Sequence, residues 1–459
     1  MKFNADVLLQ RLRDLQGEVS AGRYLVGFSG GLDSTVLLHA LVAARGEDAT
    51  PIVAVHVNHA LHPESAEWER RCRCIAGELD VQYVSREVAV VDDAGVGLEA
   101  AAREARYGAF RTMMHDGDVL LSAHHEEDQA ETLLLNLMRG SGLAGLAGIG
   151  ASQRFGPGLL IRPLLGVSRE AIEHYARECG LEWIDDPANA DLRFDRNYLR
   201  QEILPRLRHR WPAASARLCQ TAELAGEASR LQDELAKIDL AAVHDRDAGG
   251  VPDRLDIPAL QRLDAARQRN VLRHCIRACG LPQAPGSRLR QIQNELLPAR
   301  PDAQPLVRWH GVEVRRYRQK LYLLRATAPQ RAAGVAPPLL FADGREVEVG
   351  PALGALRLER ASRASGAARI DPAVVVNGLQ LRFRQGGERI RPYGHHVTRP
   401  VKKLLQEQGV VPWMRWIVPL LYSGDTLVAV ADLWIAADCA QEHGFSVRWI
   451  DKPSIFGAE

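Results

Sequence analysis

The spacing of apolar residues divides the chain into stretches of different period. From residue 24 to about 204, short apolar and β-branched runs alternate with longer stretches of helical spacing, which predicts a parallel sheet covered by helices. Strands are expected at 24–28, 52–57, 81–88 and 119–123, with helices at 35–44, 64–78, 98–115 and 128–138 between them. After Trp211 the period changes. The stretches 213–241 and 260–279 are rich in Ala, Leu, Arg and Glu with apolar positions three and four apart, which predicts a mainly helical domain. A Pro/Ala-rich stretch at 326–338 reads as a linker. Beyond it, 339–349, 356–360 and 379–384 read as short strands, followed by a basic helix and a final strand pair. The expected fold class is therefore α/β at the start, a mainly helical domain next and a small α+β domain last, over residues 1–210, 211–326 and 339–459.

Composition refines this only a little. The formal net charge of +1 supplies no overall attraction for nucleic acid, so such a partner would have to meet local basic surface. Arginine dominates the basic residues, and only Lys2, Lys237, Lys320, Lys402, Lys403 and Lys452 are lysines. The pair at 402 and 403 therefore stands out. Seven scattered cysteines lack the spacing of a zinc or iron–sulfur site and fit a reducing cytoplasm. The most apolar late stretch, 427–437, is interrupted by Asp432, so no membrane span is expected.

The strongest local signal is Ser29-Gly30-Gly31-Leu32-Asp33-Ser34, set between an apolar strand and an apolar helix. Glycines let the backbone turn sharply and bring N–H groups to an anion, and the next helix adds unpaired donors and the positive end of its dipole. Such a loop suits phosphate. Asp33 would repel it directly, a conflict that a divalent metal bridging Asp33 to phosphate removes. The structural alternative is a glycine turn capped by serine.

This string resembles the loop of the PP-loop N-type ATP pyrophosphatases, whose members cleave ATP between the α and β phosphates and leave AMP on an activated substrate. The loop is shared by several synthetases and tRNA-modifying enzymes, so it implies the first half-reaction and leaves the acceptor open. Other strings resemble the lysidine synthase branch of that family. They are His56-Val57-Asn58-His59; the helix 99–107 with Arg103 and Arg106; 124–132 with His124, Asp128 and Glu131; the glycine loop 139–149 leading to Arg162-Pro163; and 185–191 leading to Arg196 and Arg200. His124 and Asp128 are four apart, and Asp128 and Glu131 three, so one helical face can carry all three. A metal cluster and ordinary helix-start acids are the alternatives at that string. Ala188 stands where that branch has serine, His62 where it has arginine, and Ala431-Asp432 where it has a glycine. Residues 384–389, 402–405, 411–415 and 419–421 are similar to the last domain of the longer members, with Trp413 and Arg415 available for stacking or packing.

The resemblance implies ATP and Mg2+ as cofactors. ATP would be held by Ser29, Gly30, Gly31, Leu32, Asp33, Ser34, His56 and Asn58, and the metal by Asp33. It implies Asp33, His124, Asp128 and Glu131 as catalytic residues, and Arg103, Arg106, Asp128, Glu131, Arg196, Arg200, Lys402 and Lys403 as substrate-binding ones. The implied partners are a CAU-anticodon isoleucine tRNA and free L-lysine, with room for a homodimer. Asp128 and Glu131 suit recognition of the lysine ammonium more naturally than its deprotonation, since a carboxylate stabilises the charged form. The nearest enzymatic rival is a tRNA thiolase, which would need paired or catalytic cysteines; no Cys-x-x-Cys occurs. A binding protein that lost turnover is the rival from another class.

Overall fold

The computed structural model describes residues 2–46, 50–59, 63–90, 98–185, 191–244, 252–300, 303–326, 346–350, 353–360, 368–376 and 378–453, with backbone alone at 98–100. The chain forms two compact units, Met1–Leu231 and Gln232–Glu459.

In the first unit the elements run α1 (Ala5–Gln16), β1 (Tyr24–Gly27), α2 (Leu32–Ala43), β2 (Ile52–Asn58), α3 (Ser65–Glu78), β3 (Gln82–Glu87), α4 (Leu98–Met113), β4 (Val119–Leu121), α5 (Glu126–Met138) and α6 (Leu143–Leu146). They continue with β5 (Ser152–Phe155), β6 (Gly158–Ile161), α7 (Arg169–Glu178), α8 (Asp195–Tyr198), a π-helical turn at Leu199–Ile203, α9 (Leu204–Arg210) and the start of α10 (Ala214–Val243), whose residues from 232 onward belong to the second unit. The six strands lie in the order β3-β2-β1-β4-β6-β5, parallel except for β5 against β6. Helices cover both faces, which is why Leu25, Val26, Ile52, Val53, Ala54 and Val55 are all apolar and buried rather than alternating. One face packs on Leu8, Leu12, Leu37, Leu38 and Ile172, and the other on Phe110, Met114 and Phe155. The sheet reverses its order between β1 and β4, and the loops after those two strands open at that switch point.

The expected strands and helices of this region are present with their ends shifted. Helix α5 starts at Glu126 because His125 caps it, and α2 starts at Leu32 because Gly31 is its N-cap. The sequence reading lacked α1, started by the Asn4 side chain accepting from Val7 N–H at 2.8 Å, as well as the β5–β6 hairpin and α7. Residues 60–62 and 186–190, which carry parts of two motifs, lie outside the described residues, as does the expected linker from 327 onward.

The second unit contains two separate cores. Around the first, helices Ile257–Gln261, Ala265–Ala278 and Gly286–Gln291 bury Leu260, Leu272, Ile276 and Leu289. Here the mainly helical expectation is corrected by addition: these helices pack on a four-stranded antiparallel sheet of Arg254–Asp256, Lys320–Arg325, Val312–Tyr317 and Leu306–Trp309. A two-residue turn joins its last pair, with φ of 35° at His310 and 75° at Gly311, as a tight hairpin requires. The second core lies between two further sheets. The first contains Glu346–Glu348, Ala355–Arg360 and Phe445–Ile450, and the second Gln380–Phe383, Pro419–Ser423 and Thr426–Val430, with the helix Val401–Glu407. Of the expected strand at 339–349, only Glu346–Glu348 is a described strand, and 339–345 fall outside the description.

Candidate active site

A cleft of about 1150 Å3 opens in the first unit at the carboxyl ends of β1 and β4. Its floor is the glycine loop. Gly30 takes φ +80°, and a side chain there would place Cβ 2.7 Å from both Cys72 Sγ and Ile184 Cδ1, so only glycine fits. The turn is locked by Ser34 Oγ donating to the Gly31 carbonyl (3.0 Å) and Thr35 Oγ1 donating to the Gly30 carbonyl (3.2 Å). The Gly30 carbonyl also accepts from Ile184 N–H at 2.9 Å. Gly31 has no side chain with which to cap α2, so the positive end of this helix meets the cleft without a capping group. That end can take an anion.

Asp33, in the first turn of α2, accepts from Arg169 Nη1 at 2.9 and 3.0 Å. Burial pushes its carboxyl upward against the opposing pull of His125 and Arg169. His125 Nδ1 accepts from Glu127 N–H (3.2 Å), so the neutral ring carries its proton on Nε2, which lies 3.8 Å from Asp33 and 3.5 Å from Asp128. Asp128 in turn accepts from His125 N–H at 2.9 Å, completing a capping box.

Around Asp128 the charges close into a quartet. Arg196 Nε donates to Glu131 at 2.8 Å and its Nη2 to Asp128 at 3.3 Å. Arg200 donates through Nε (2.7 Å) and Nη2 (3.0 Å) to Glu131, and through Nη2 to Asp128 (3.1 Å). Two carboxylates and two guanidinium groups balance. Burial would raise the Asp128 pKa, but His125, Arg196 and Arg200 outweigh it and hold the carboxyl far below its ordinary range. Glu131 is fully buried behind this network and does not line the cleft, whereas Asp128, Arg196 and Arg200 do.

The remaining walls carry the histidines and two more arginines. His56 donates Nδ1–H to the Phe28 carbonyl (3.0 Å), and Asn58 Nδ2 donates to Glu69 (3.2 Å). His59 accepts from Arg106 Nε at 3.4 Å, and burial together with Arg106 lowers it to about 4. His124 Nδ1 lies 2.8 Å from Ser122 Oγ, and burial lowers it to about 3, so the ring is neutral at physiological pH. Arg103 lies over the Tyr107 ring at 5.0 Å, and both Arg103 and Arg106 line the cleft. Gln129 clamps the glycine loop behind α5, donating to the Ala147 and Ile149 carbonyls at 3.3 and 3.2 Å.

The expected site residues of the first unit line the cleft, except Gly30, which shapes the loop from beneath, and Glu131, which lies behind the cleft wall. Lys402 and Lys403 belong to the second unit, exposed on the helix Val401–Glu407 and without an ion-pair partner among the described residues. Trp413 and Arg415 pack within that unit. Trp413 lies edge-on to Tyr322 at 5.1 Å and Tyr317 at 6.3 Å, and Arg415 donates to the Val410 carbonyl at 2.8 Å. The sequence reading omitted Arg169, which resembles an ordinary surface pair with Glu173 one turn on, and His125, which stood inside a quoted string. No group of three or more His, Cys, Asp or Glu side chains that could hold a metal ion occurs among the described residues. Asp33 is the loop carboxylate that could share a divalent cation with phosphate oxygens.

Residues 5–207 match the family model described as the PP-loop domain. Fold, loop and cleft thus define an ATP-using enzyme of the PP-loop class. Residues 255–322 match the TilS substrate binding domain and 379–449 the TilS substrate C-terminal domain. The tRNA(Ile)-lysidine synthase of Coxiella burnetii is 38% identical over 97% of this chain and 96% of its own length, and that of Alkalilimnicola ehrlichii 41% identical over 93% of each. The chain belongs to the tRNA(Ile)-lysidine synthase family. Among solved structures, a U34-tRNA thiolase from Methanococcus maripaludis is similar at a TM-score of 0.42 and 16% identity, covering 48% of this chain and 78% of that one. No helix among the described residues is long and apolar enough to cross a membrane.

Proposed function

We propose that the chain uses ATP to adenylate the wobble cytidine of a CAU-anticodon isoleucine tRNA, then joins free L-lysine to C2 of that base. What supports this reading is one cleft that joins an uncapped phosphate loop to the Asp128–Arg196–Glu131–Arg200 quartet, in a chain akin to curated tRNA(Ile)-lysidine synthases over nearly its whole length.

In the first step the C2 oxygen of cytidine attacks the α phosphorus, the bond to the bridging oxygen breaks, and pyrophosphate leaves. Backbone N–H groups of 30–34 together with Arg103 and Arg106 neutralise the charge that builds on phosphate. Magnesium held jointly by Asp33 and ATP would supply further neutralisation. In the second step the lysine ε-amine attacks C2, the C2–O bond to AMP breaks, and the amine gives up a proton. Asp128, kept ionised by its arginines, suits the incoming ammonium as a partner and is a weak base. Glu131 acts through Arg196 and Arg200 as a positioning residue, and neutral His124 contributes a hydrogen bond without charge. Arg196 and Arg200 are committed to carboxylates, so their part in phosphate binding is secondary to orienting Asp128. The segments 211–326 and 339–459 would hold the tRNA, with Lys402 and Lys403 on its phosphates, and on this reading the chain works in the cytoplasm.

A thiolase reading has little to stand on. Among the described residues no cysteine lines the cleft, and burial pushes Cys72, the thiol beneath Gly30, up to about 12. The test supplies purified protein with ATP, Mg2+, labelled lysine and CAU-anticodon tRNA. Label entering the tRNA in step with pyrophosphate release is expected; pyrophosphate without label, or neither, would sink the proposal.

A further inference from the structure

Arg169 is the cationic group closest to the acidic residue of the phosphate loop, and it is only partly used. Its Nη1 serves both Asp33 oxygens (2.9 and 3.0 Å) and its Nε donates to Glu173 (3.2 Å), while Nη2 has no partner among the described residues. The side chain is 32% exposed and lines the cleft beside the first turn of α2. A polyphosphate seated on that helix end would meet Asp33 at close range. Each negative oxygen brought near the carboxylate is repelled unless a fixed cation stands between them. Arg169 is such a cation, fixed beside any Mg2+ that Asp33 shares with phosphate, on a helix whose N-cap, Ser168, accepts from Ala171 N–H at 3.3 Å.

We propose that Arg169 is a substrate-binding residue for the β and γ phosphates: its free Nη2 takes a phosphate oxygen, and the guanidinium screens Asp33 from the leaving pyrophosphate. This rests on the ATP-cleaving reading and adds the residue that receives the leaving group. Arginine suits the task because its planar fork can serve a carboxylate and a phosphate from two different nitrogens at once, which lysine cannot. AMP, which lacks the β and γ phosphates, should be indifferent to it.

The test measures equilibrium binding of ATP, AMP and inorganic pyrophosphate to the full chain by calorimetry, each in Mg2+ and in EDTA, for wild type, R169A and R169K. Expected is a tenfold or greater weakening of ATP and pyrophosphate for R169A, with AMP within twofold of wild type. R169K, which keeps a charge beside Asp33, should lose several-fold for ATP and for pyrophosphate and leave AMP unchanged. Equal weakening of ATP and AMP would mean a merely structural arginine, and unchanged pyrophosphate binding in both variants would overturn the proposal, as would a wild type that binds ATP no better than AMP. A wild type that binds no adenine nucleotide at all would instead overturn the underlying ATP-cleaving reading.

Discussion

The cleft of the first unit and the Val401–Glu407 helix of the second both concentrate charge, but they do so in opposite ways. In the cleft, Asp128 and Glu131 are 13% and 0% exposed, and both share Arg196 and Arg200, so each charge already has partners. On the helix, Lys402 and Lys403 stand in water with none among the described residues. Paired and buried charges fix geometry and are screened little by salt, whereas exposed unpaired cations act at a distance and weaken as ions are added. The first arrangement suits placing a reacting atom. The second suits gathering a large polyanion.

The severest way to break the comparison is to remove one charge from the quartet. E131Q leaves two guanidinium groups sharing Asp128, and a loss of about 2 to 3 kcal/mol of stability is expected for so buried a partner, together with collapse of lysine transfer. Chemical denaturation of the variant should show it; wild-type stability with normal transfer would mean that the network is ornamental. Next comes G30A, where a methyl group must push aside Cys72 and Ile184 and hold φ +80°, costing about 1 to 2 kcal/mol and much of the ATP affinity. C72A in the same chain should recover only part, because Ile184 and the backbone strain remain.

Acid should also weaken the cleft. His59 titrates near 4 in the fold against 6.5 as a free side chain, so below pH 6.5 the unfolded chain takes up a proton that the folded chain refuses. Its contribution is therefore complete above pH 6.5 and is lost as the pH falls toward 4. H59N should flatten the stability curve in that window; an unchanged slope would show that this histidine is solvated. The smallest effect is reserved for the helix. K402A/K403A should weaken tRNA binding at low salt and reduce the salt slope by about 1.4 to 1.8, with no change in ATP binding. A loss that persists at high salt would place these lysines with the paired charges instead.

What was legible in the sequence was local. The phosphate loop could be read because its glycines, hydroxyls and flanking apolar runs lie within a dozen positions, and the exposed lysines because they interrupt an arginine-rich chain. The Asp33–Arg169 pair was not legible: 136 positions separate its members, and Arg169 has a convincing surface partner in Glu173. Glu131 was placed with the catalytic groups because its spacing from Asp128 is right, yet spacing cannot tell the wall of a cleft from the layer behind it. The sheet of the middle segment was hidden by arginines, which favour helix, although Val312-Glu313-Val314 alternates and His310-Gly311 marks the hairpin turn.

One consequence follows from the π-helical turn at Leu199–Ile203, where Leu204 N–H reaches the Leu199 carbonyl five residues back. Deleting a single residue there would tighten the coil into an ordinary α-helix and swing everything downstream by roughly a quarter of a revolution. Glu127, which accepts from Arg208 beyond the turn, would lose that partner even though neither residue had been altered. The length of this turn, as much as its composition, is thus a requirement of the cleft, and it should tolerate substitution far better than deletion.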